Sequence, residues 1–215
     1  MQANEQTYGL PQLNAPAPHF KAQTTHGERS LNDYRGQWLV LFSHPADFTP
    51  VCTTEFIGFA ERAEEFKKRN CQLLGLSIDS LFSHLAWTKN IHEKFGVEIP
   101  FPIIEDLKME VASAYGMIHP NAADTSAVRA TFLIDPEGIL RAMVYYPMTN
   151  GRSVDEFLRL LDALQTSDEH GVATPEAWCP GQPVIVPPPK TSEGMKQREG
   201  EGYDYVDWYF SRKSL

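Results

Sequence analysis

Apolar and polar positions along this chain fall into blocks with the periods of strands and helices. Trp38 to Phe42 is a continuous apolar run of strand length and predicts a buried strand. Behind it, Phe56, Phe59, Ala60, Ala63 and Phe66 recur at helical spacing, predicting a helix from Pro50 to about Asn70. Gln72 to Ile78 reads as a second buried strand, and a strand, helix and strand in that order require a right-handed crossover and a parallel pair. A further helix starts at Ser80 as N-cap, with Leu81, Leu85, Ile91 and Phe95 inward and Trp87 flanking that face, and ends before Gly96. Pro100 and Pro102 frame a short extended link, and Asp106 to Tyr115 predicts another helix stopped by Gly116. Ala130 to Ile134 and Ile139 to Tyr146 form a hairpin about the turn Asp135-Pro136-Glu137-Gly138. Ser153 caps a last long helix through Gln165, with Phe157, Leu158, Leu161 and Leu164 inward.

The two ends lack this regularity. Residues 1–20, with Pro11, Pro16 and Pro18, read as an extended lead-in, and Phe20 begins the entry into the sheet. After Val172 come Pro175, Pro180, Pro183 and the run Pro187-Pro188-Pro189, a stretch too poor in periodicity for a domain core. Ser192 to Glu199 predicts a short helix, and the tail from Tyr203 to Phe210 is aromatic. Aromatic surface of that density is seldom left in water, so the arm is expected on a partner subunit, with packing on its own domain as the alternative. The element order is that of a thioredoxin-like α/β fold, a central mixed sheet flanked by helices, over residues 1–171, with a C-terminal extension over 172–215.

Composition narrows the function. With 215 residues, of which 42% are hydrophobic, the chain can build a substantial core. A formal charge of −9 argues against nucleic acid or an anionic membrane as partner. The cluster Lys67-Lys68-Arg69 does not change this, because it falls in a last helical turn, where cations complement the dipole. Three cysteines, at 52, 71 and 179, give neither an even disulfide framework nor a metal-ligand spacing, so neither metal nor cofactor is expected. No charged-then-apolar leader opens the chain, and its apolar runs fall short of the ~20 residues that span a bilayer. The expectation is a cytoplasmic protein.

Candidate chemistry centres on Cys52. Thr49 as N-cap and Pro50 at the first helical position make Cys52 the third residue of its helix. Free backbone N–H groups and the positive end of the dipole favour an anion there, which for cysteine is the nucleophilic thiolate. Glu55 stands where a disulfide oxidoreductase of this fold would carry a second cysteine, so no internal disulfide can cycle across that turn.

The segment Phe42-Ser-His-Pro-Ala-Asp-Phe-Thr-Pro-Val-Cys-Thr-Thr-Glu55 resembles the peroxidatic-cysteine motif of peroxiredoxins, Pro-x-x-x-Thr-x-x-Cys, through Pro45, Thr49 and Cys52, and is similar to the one-cysteine subfamily in particular. The likeness continues through Leu76-Ser-Ile-Asp-Ser80, His84-Leu-Ala-Trp87, Pro100-Phe-Pro-Ile-Ile104 and Gly151-Arg152. It implies a thiol-dependent peroxidase that reduces hydrogen peroxide and organic hydroperoxides through a sulfenic acid at Cys52, recycled by an external thiol. It further implies a homo-oligomer, a dimer or a decameric ring of dimers. By the same resemblance Arg129 occupies the active-site arginine position, stabilising the thiolate and holding one peroxide oxygen while the Thr49 hydroxyl donates to the other and accepts from the incoming proton. Pro45 would shield the sulfur, Glu55 would orient Arg129 by a two-pronged pair, and Arg152 and His44 are supporting candidates. Cys71 reads as a buried residue, and Cys179 as a loop thiol that could resolve the sulfenic acid internally.

Two other readings compete. A cysteine hydrolase needs a histidine base and an oxyanion hole near Cys52, which the strand order disfavours. An oligomeric holdase or redox-signalling protein is compatible with the acidic surface and the aromatic arm. Some one-cysteine relatives carry a lipase-like serine site, but here Arg35-Gly36-Gln37-Trp38 has Gln37 in that place and no Gly-x-Ser-x-Gly elbow occurs.

Overall fold

The structure, a computed structural model, describes residues 9–118 and 127–215, so the first eight residues of the expected lead-in lie outside the described residues. The chain divides into two compact units, Met1–Val154 and Asp155–Leu215.

In the first unit the strands β1 (Lys21–Thr24), β2 (Gly27–Ser30), β3 (Trp38–Ser43), β4 (Cys71–Ser77), β5 (Ile103–Glu105), β6 (Arg129–Ile134) and β7 (Leu140–Tyr146) form one sheet in the order β2-β1-β5-β4-β3-β6-β7. β3 lies inside the sheet, parallel to β4 and antiparallel to β6, and β4 is parallel to β5, so the sheet is mixed as expected. Every residue of β3 and β6 is buried, which explains why β3 reads as an unbroken apolar run rather than an alternating one.

The helices are α1 (Pro50–Glu61), α2 (Ala63–Lys68), α3 (Leu81–Phe95) and α4 (Glu110–Ala114). The single helix expected from Pro50 to Asn70 is interrupted at Arg62, which leaves helical geometry at φ −102° and ψ 1°. α4 is shorter than predicted because Asp106 stands ahead of it, its carboxylate accepting the N–H groups of Val111 and Ala112.

The inward face of α3 differs from the sequence reading. His84, Trp87 and Ile91 are buried, whereas Leu85 and Phe95 are 44% and 58% exposed. A histidine takes the buried row because both of its ring nitrogens find hydrogen-bond partners there.

Between α1 and the sheet lies an aromatic layer. Phe42 stacks on Phe59 with centroids 4.1 Å apart, and Phe56 contacts Phe42, Trp87 and Phe101 at 5.4, 4.6 and 5.6 Å. Gly75 makes room for it: a Cβ there would come 3.1 Å from Phe56 Cζ.

The second unit contains most of α5 (Val154–His170), which runs one turn beyond the expected end at Gln165. Phe157, Leu158, Leu161 and Ala163 are its buried residues, while Leu164 is half-buried. Ala163, Val172, Trp178 and Val184 form a small apolar cluster. The short helix α6 (Ser192–Gln197) lies where predicted, capped by the Thr191 hydroxyl. The aromatic tail is a hairpin, β9 (Asp204–Asp207) and β10 (Phe210–Lys213), and β10 also pairs with β8 (Val184–Val186) in a second, three-stranded sheet.

Gly75→Val should overpack the space under Phe56 and cost about 1–3 kcal/mol of stability. A lower denaturant midpoint at unchanged slope is the expected outcome, and an unchanged midpoint would show that the aromatic layer yields freely.

Candidate active site

The site is built where β3 hands over to α1. β3 ends at Ser43, and residues 44–49 turn the chain, with Phe48 in the left-handed region at φ 56°. A bulky residue adopts that conformation only where its surroundings hold it. Thr49 is the N-cap and Pro50 the first helical residue, so Cys52 is the third, as the sequence predicted. The Thr49 hydroxyl caps no helical N–H; it donates to the Ala46 carbonyl at 2.9 Å and so closes the turn. Pro45 is buried in this turn and Thr49 half-buried.

Cys52 has no exposed surface. Arg129, the first residue of β6, donates from Nη1 to Cys52 Sγ at 3.3 Å and to Glu55 Oε2 at 2.7 Å, while its Nε donates to the Met148 carbonyl at 2.9 Å. Glu55, almost one turn beyond Cys52, also faces Arg152. Arg152 Nε and Nη2 donate to its two oxygens at 2.9 and 2.8 Å, and the Arg152 backbone N–H donates at 2.8 Å. The two-pronged partner of Glu55 is therefore Arg152, not Arg129. Arg129 divides its donors instead, Nε going to the Met148 carbonyl and Nη1 being shared between Glu55 and Cys52.

Arg152 is held in turn by the Ala130 carbonyl and the Thr131 hydroxyl, and its guanidinium lies over the rings of Phe42 and Phe59 at 5.5 and 5.9 Å. This group of buried side chains contains two guanidinium ions and one carboxylate. An anionic sulfur brings it to neutrality, and the exposed ends of the first helical turn act in the same sense. Burial opposes ionisation of Glu55, but the hydrogen bonds and charge of Arg152, with the charge of Arg129, hold its carboxyl below the ordinary value of 4.5.

His44 is fully buried, its ring 4.7 Å from Phe56 and 5.0 Å from Trp87, and its Nε2 lies 2.8 Å from Asp47 Oδ1. Asp47 Oδ2 meets His84 Nδ1, also at 2.8 Å. Sequence reasoning singled out neither Asp47 nor His84. The available signal was a polar residue three positions before Trp87 and seven before Ile91 on one helical row. The other thiols stand apart in kind: Cys71 is buried at the start of β4, Cys179 is exposed in the second unit, and all three cysteines are free.

Glu55→Gln should lower stability at neutral pH by about 3–5 kcal/mol, since it leaves two buried guanidinium groups on one neutral amide. Because the folded carboxyl titrates below its unfolded value, its contribution is complete above about 4.5 and lost as pH falls through the folded value. The variant should therefore show a shallower acid-side fall in stability than the parent chain, measured by denaturant unfolding at several pH values. Parallel curves would remove Glu55 from the acid response.

Comparison with known proteins agrees with this geometry. Residues 13–143 match the model of the AhpC/TSA family, and residues 163–202 match that of the C-terminal domain of 1-Cys peroxiredoxin. A peroxiredoxin of Aquifex aeolicus is 59% identical over 217 residues, covering 96% of this chain and 98% of that one. A peroxiredoxin of Methanosarcina mazei is 51% identical, covering 95% and 98%. Among solved structures, a yeast mitochondrial 1-Cys peroxiredoxin superposes with a TM-score of 0.86 at 40% identity, covering 96% of this chain and all of the other. A Cys-to-Ser variant of the peroxiredoxin 6 of Arenicola marina gives 0.84 at 34%, covering 95% and 98%. With its mixed sheet, its C-terminal extension and a buried cysteine at the head of α1, the chain belongs to the AhpC/TSA family, the peroxiredoxins, and is a thiol-dependent peroxidase.

Proposed function

We propose that Cys52 is the residue that peroxide oxidises and that Arg129, Thr49 and Pro45 make it reactive. The observation that carries this reading is the Arg129 guanidinium 3.3 Å from a wholly buried sulfur in the first turn of a helix. The Cys52 thiolate attacks one oxygen of the peroxide, an S–O bond forms, the O–O bond breaks, and the leaving oxygen takes a proton to depart as water or an alcohol. Cys52 is left as a sulfenic acid. Arg129, already a donor to the sulfur, also donates to the oxygen on which charge develops. The Thr49 proton is engaged with Ala46, so toward a peroxide its oxygen serves as an acceptor for the O–H group. Pro45 keeps bulk water from the sulfur.

The cycle closes with an external thiol. It attacks the sulfenic sulfur and releases water, and a second thiol then displaces Cys52 from the mixed disulfide. The yeast structure is described as showing thiol resolution through the glutathione and thioredoxin systems, which supports a reductant of that kind here. Three free thiols support a reducing, cytoplasmic location. No helix of the described residues is long and apolar enough to cross a membrane.

The assembly proposed is a dimer, with a decameric ring of dimers as its higher form. Each unit carries its own exposed apolar surface. The first has Phe48, Phe82 and Leu85, on segments joined by the Asp47 N–H to Asp79 hydrogen bond, with Phe82 80% exposed. The second has Val206, Tyr209, Phe210 and Leu215. One self-complementary surface makes a dimer, and a ring of dimers needs a second. Phe82→Asp should reduce the mass seen by light scattering to that of a dimer, and removal of residues from Pro187 onward should weaken the dimer itself; an unchanged mass in both variants would refute the assignment.

Cys52→Ser should abolish peroxide consumption. Arg129→Gln should slow single-turnover oxidation by about 10²–10³-fold, as for loss of a donor to a developing oxyanion. Arg129→Lys should restore thiolate formation better than rate, because a point charge replaces the field but not the fork. Thiolate absorbance and oxidation rate followed against pH decide this, and recovery of the parent rate by Arg129→Gln at high pH would confine Arg129 to ionisation.

A further inference from the structure

The set His44, Asp47 and His84 has a proton inventory that fixes its charges. The three side chains are all but fully buried. His84 Nε2 lies 3.1 Å from the Ile104 carbonyl oxygen, which can only accept, so Nε2 bears a proton. His84 Nδ1 lies 2.8 Å from Asp47 Oδ2, and an ionised carboxylate also only accepts. A neutral imidazole has one N–H, so it cannot meet both acceptors. Either His84 carries two protons or Asp47 carries one.

The hydrogen bonds favour the ionised pair, since the Ile104 carbonyl at Nε2 stabilises an imidazolium and the His44 ring nitrogen at Oδ1 stabilises a carboxylate. Burial works against the charged form of Asp47, but the hydrogen bonds and charges of His44 and His84 outweigh it and hold its carboxyl well below the usual range. Burial pushes His44 toward its neutral form against the hydrogen bond and charge of Asp47. With its one N–H directed to Asp47, its Nδ1 is a bare lone pair, and that buried atom has no hydrogen-bond partner. The other charged groups on the adjoining segments are Asp79, whose Oδ2 accepts the Asp47 N–H and the Ser77 hydroxyl, and Glu105, whose Oε1 accepts the Leu81 N–H. The set has the composition of a metal site, its ligand atoms within 4.8 Å of one another. Yet the 2.8 Å separations are shorter than the roughly 3.3 Å between two ligands held at ~2.0 Å around a tetrahedral zinc.

We infer that His84 is held as a buried imidazolium between Asp47 and the Ile104 carbonyl, and that this cation fixes Asp47 as an ionised double acceptor, positions the loop that leads to Cys52, and sets His44 in its Nε2–H tautomer with an open Nδ1. Asp47 thereby ties the loop to α3 through His84 and, through the same ring, to β5. His84 and Asp47 are positioning residues for the peroxidase reaction, and this role rests on the assignment of Cys52 as the oxidised residue.

Long-range nitrogen–proton spectra of the intact, nitrogen-labelled protein at neutral pH read the inventory directly. Two protonated nitrogens on His84, with one protonated and one bare nitrogen on His44, are expected. A bare nitrogen on His84 would overturn the inference. His84→Gln and Asp47→Asn should each slow single-turnover oxidation of Cys52 by about 10- to 100-fold, the cost typical of a misplaced reacting group, and the double variant should be no slower than the slower single one. Parent rates in both single variants would refute the positioning role. Persistent peroxide consumption by Cys52→Ser would instead refute the Cys52 assignment and leave the His84 spectrum standing, and that spectrum needs no variant that might fail to fold.

Discussion

The carboxylate of Glu55 is the constraint on which the catalytic end of the molecule depends. It receives Arg129 from the start of β6 and Arg152 from the segment before α5, residues 74 and 97 positions away in sequence. Two guanidinium ions brought together without it would repel in a medium that screens poorly. A pair of unit charges 4 Å apart is worth about 4 kcal/mol at an effective dielectric of 20, while removing each ion from water costs several kcal/mol. Attraction and desolvation thus nearly offset one another, so the network contributes little net stability. What it contributes is position. Once Glu55 is fixed on α1, Arg129 Nη1 has one place to go, shared between that carboxylate and Cys52 Sγ.

The aromatic layer serves the same end from the other side. Phe42 and Phe59 stack on each other and present their faces to Arg152, while Phe56, free to approach because residue 75 is glycine, presses on Trp87 and on the ring of His44. The helix that carries the sulfur is therefore seated by apolar contacts and oriented by ionic ones. Neither alone would suffice, since apolar packing tolerates small shifts and rotations that a hydrogen bond of 2.7 Å does not.

This division explains what was legible in the sequence. Local signals were readable: the Thr49-Pro50 cap that puts Cys52 third in its helix, the unbroken apolar run of β3, and the turn at Asp135 to Gly138. Arg129 was not readable from pattern, because its meaning comes from a sulfur 77 residues away, and only the resemblance to peroxiredoxins picked it out. The inward face of α3 was misread for a related reason. Periodicity ranks Leu85 and Phe95 above His84, yet His84 is buried because Asp47, 37 positions earlier, and Ile104 satisfy both ring nitrogens. The β9–β10 hairpin escaped notice because burial alternates over only the four residues of β9 and does not alternate in β10, too little for a period to emerge.

Burial by itself does not distinguish the two inward-facing cysteines. Cys52 and Cys71 are both removed from water, on neighbouring elements of one fold. Among the described residues the hydrogen-bonding partners of Cys71 are the Gln72 carbonyl at 3.6 Å and the Val40 backbone, and burial pushes its thiol far above the ordinary range. A thiol in that state is neither nucleophile nor metal ligand, and it packs as a small apolar residue. Cys52 differs in having the Arg129 guanidinium at its sulfur, and in a poorly screening interior that charge acts on it more strongly than it would in water. Burial amplifies whatever charge is present, and under the proposed assignment of Cys52 that charge stands on Arg129.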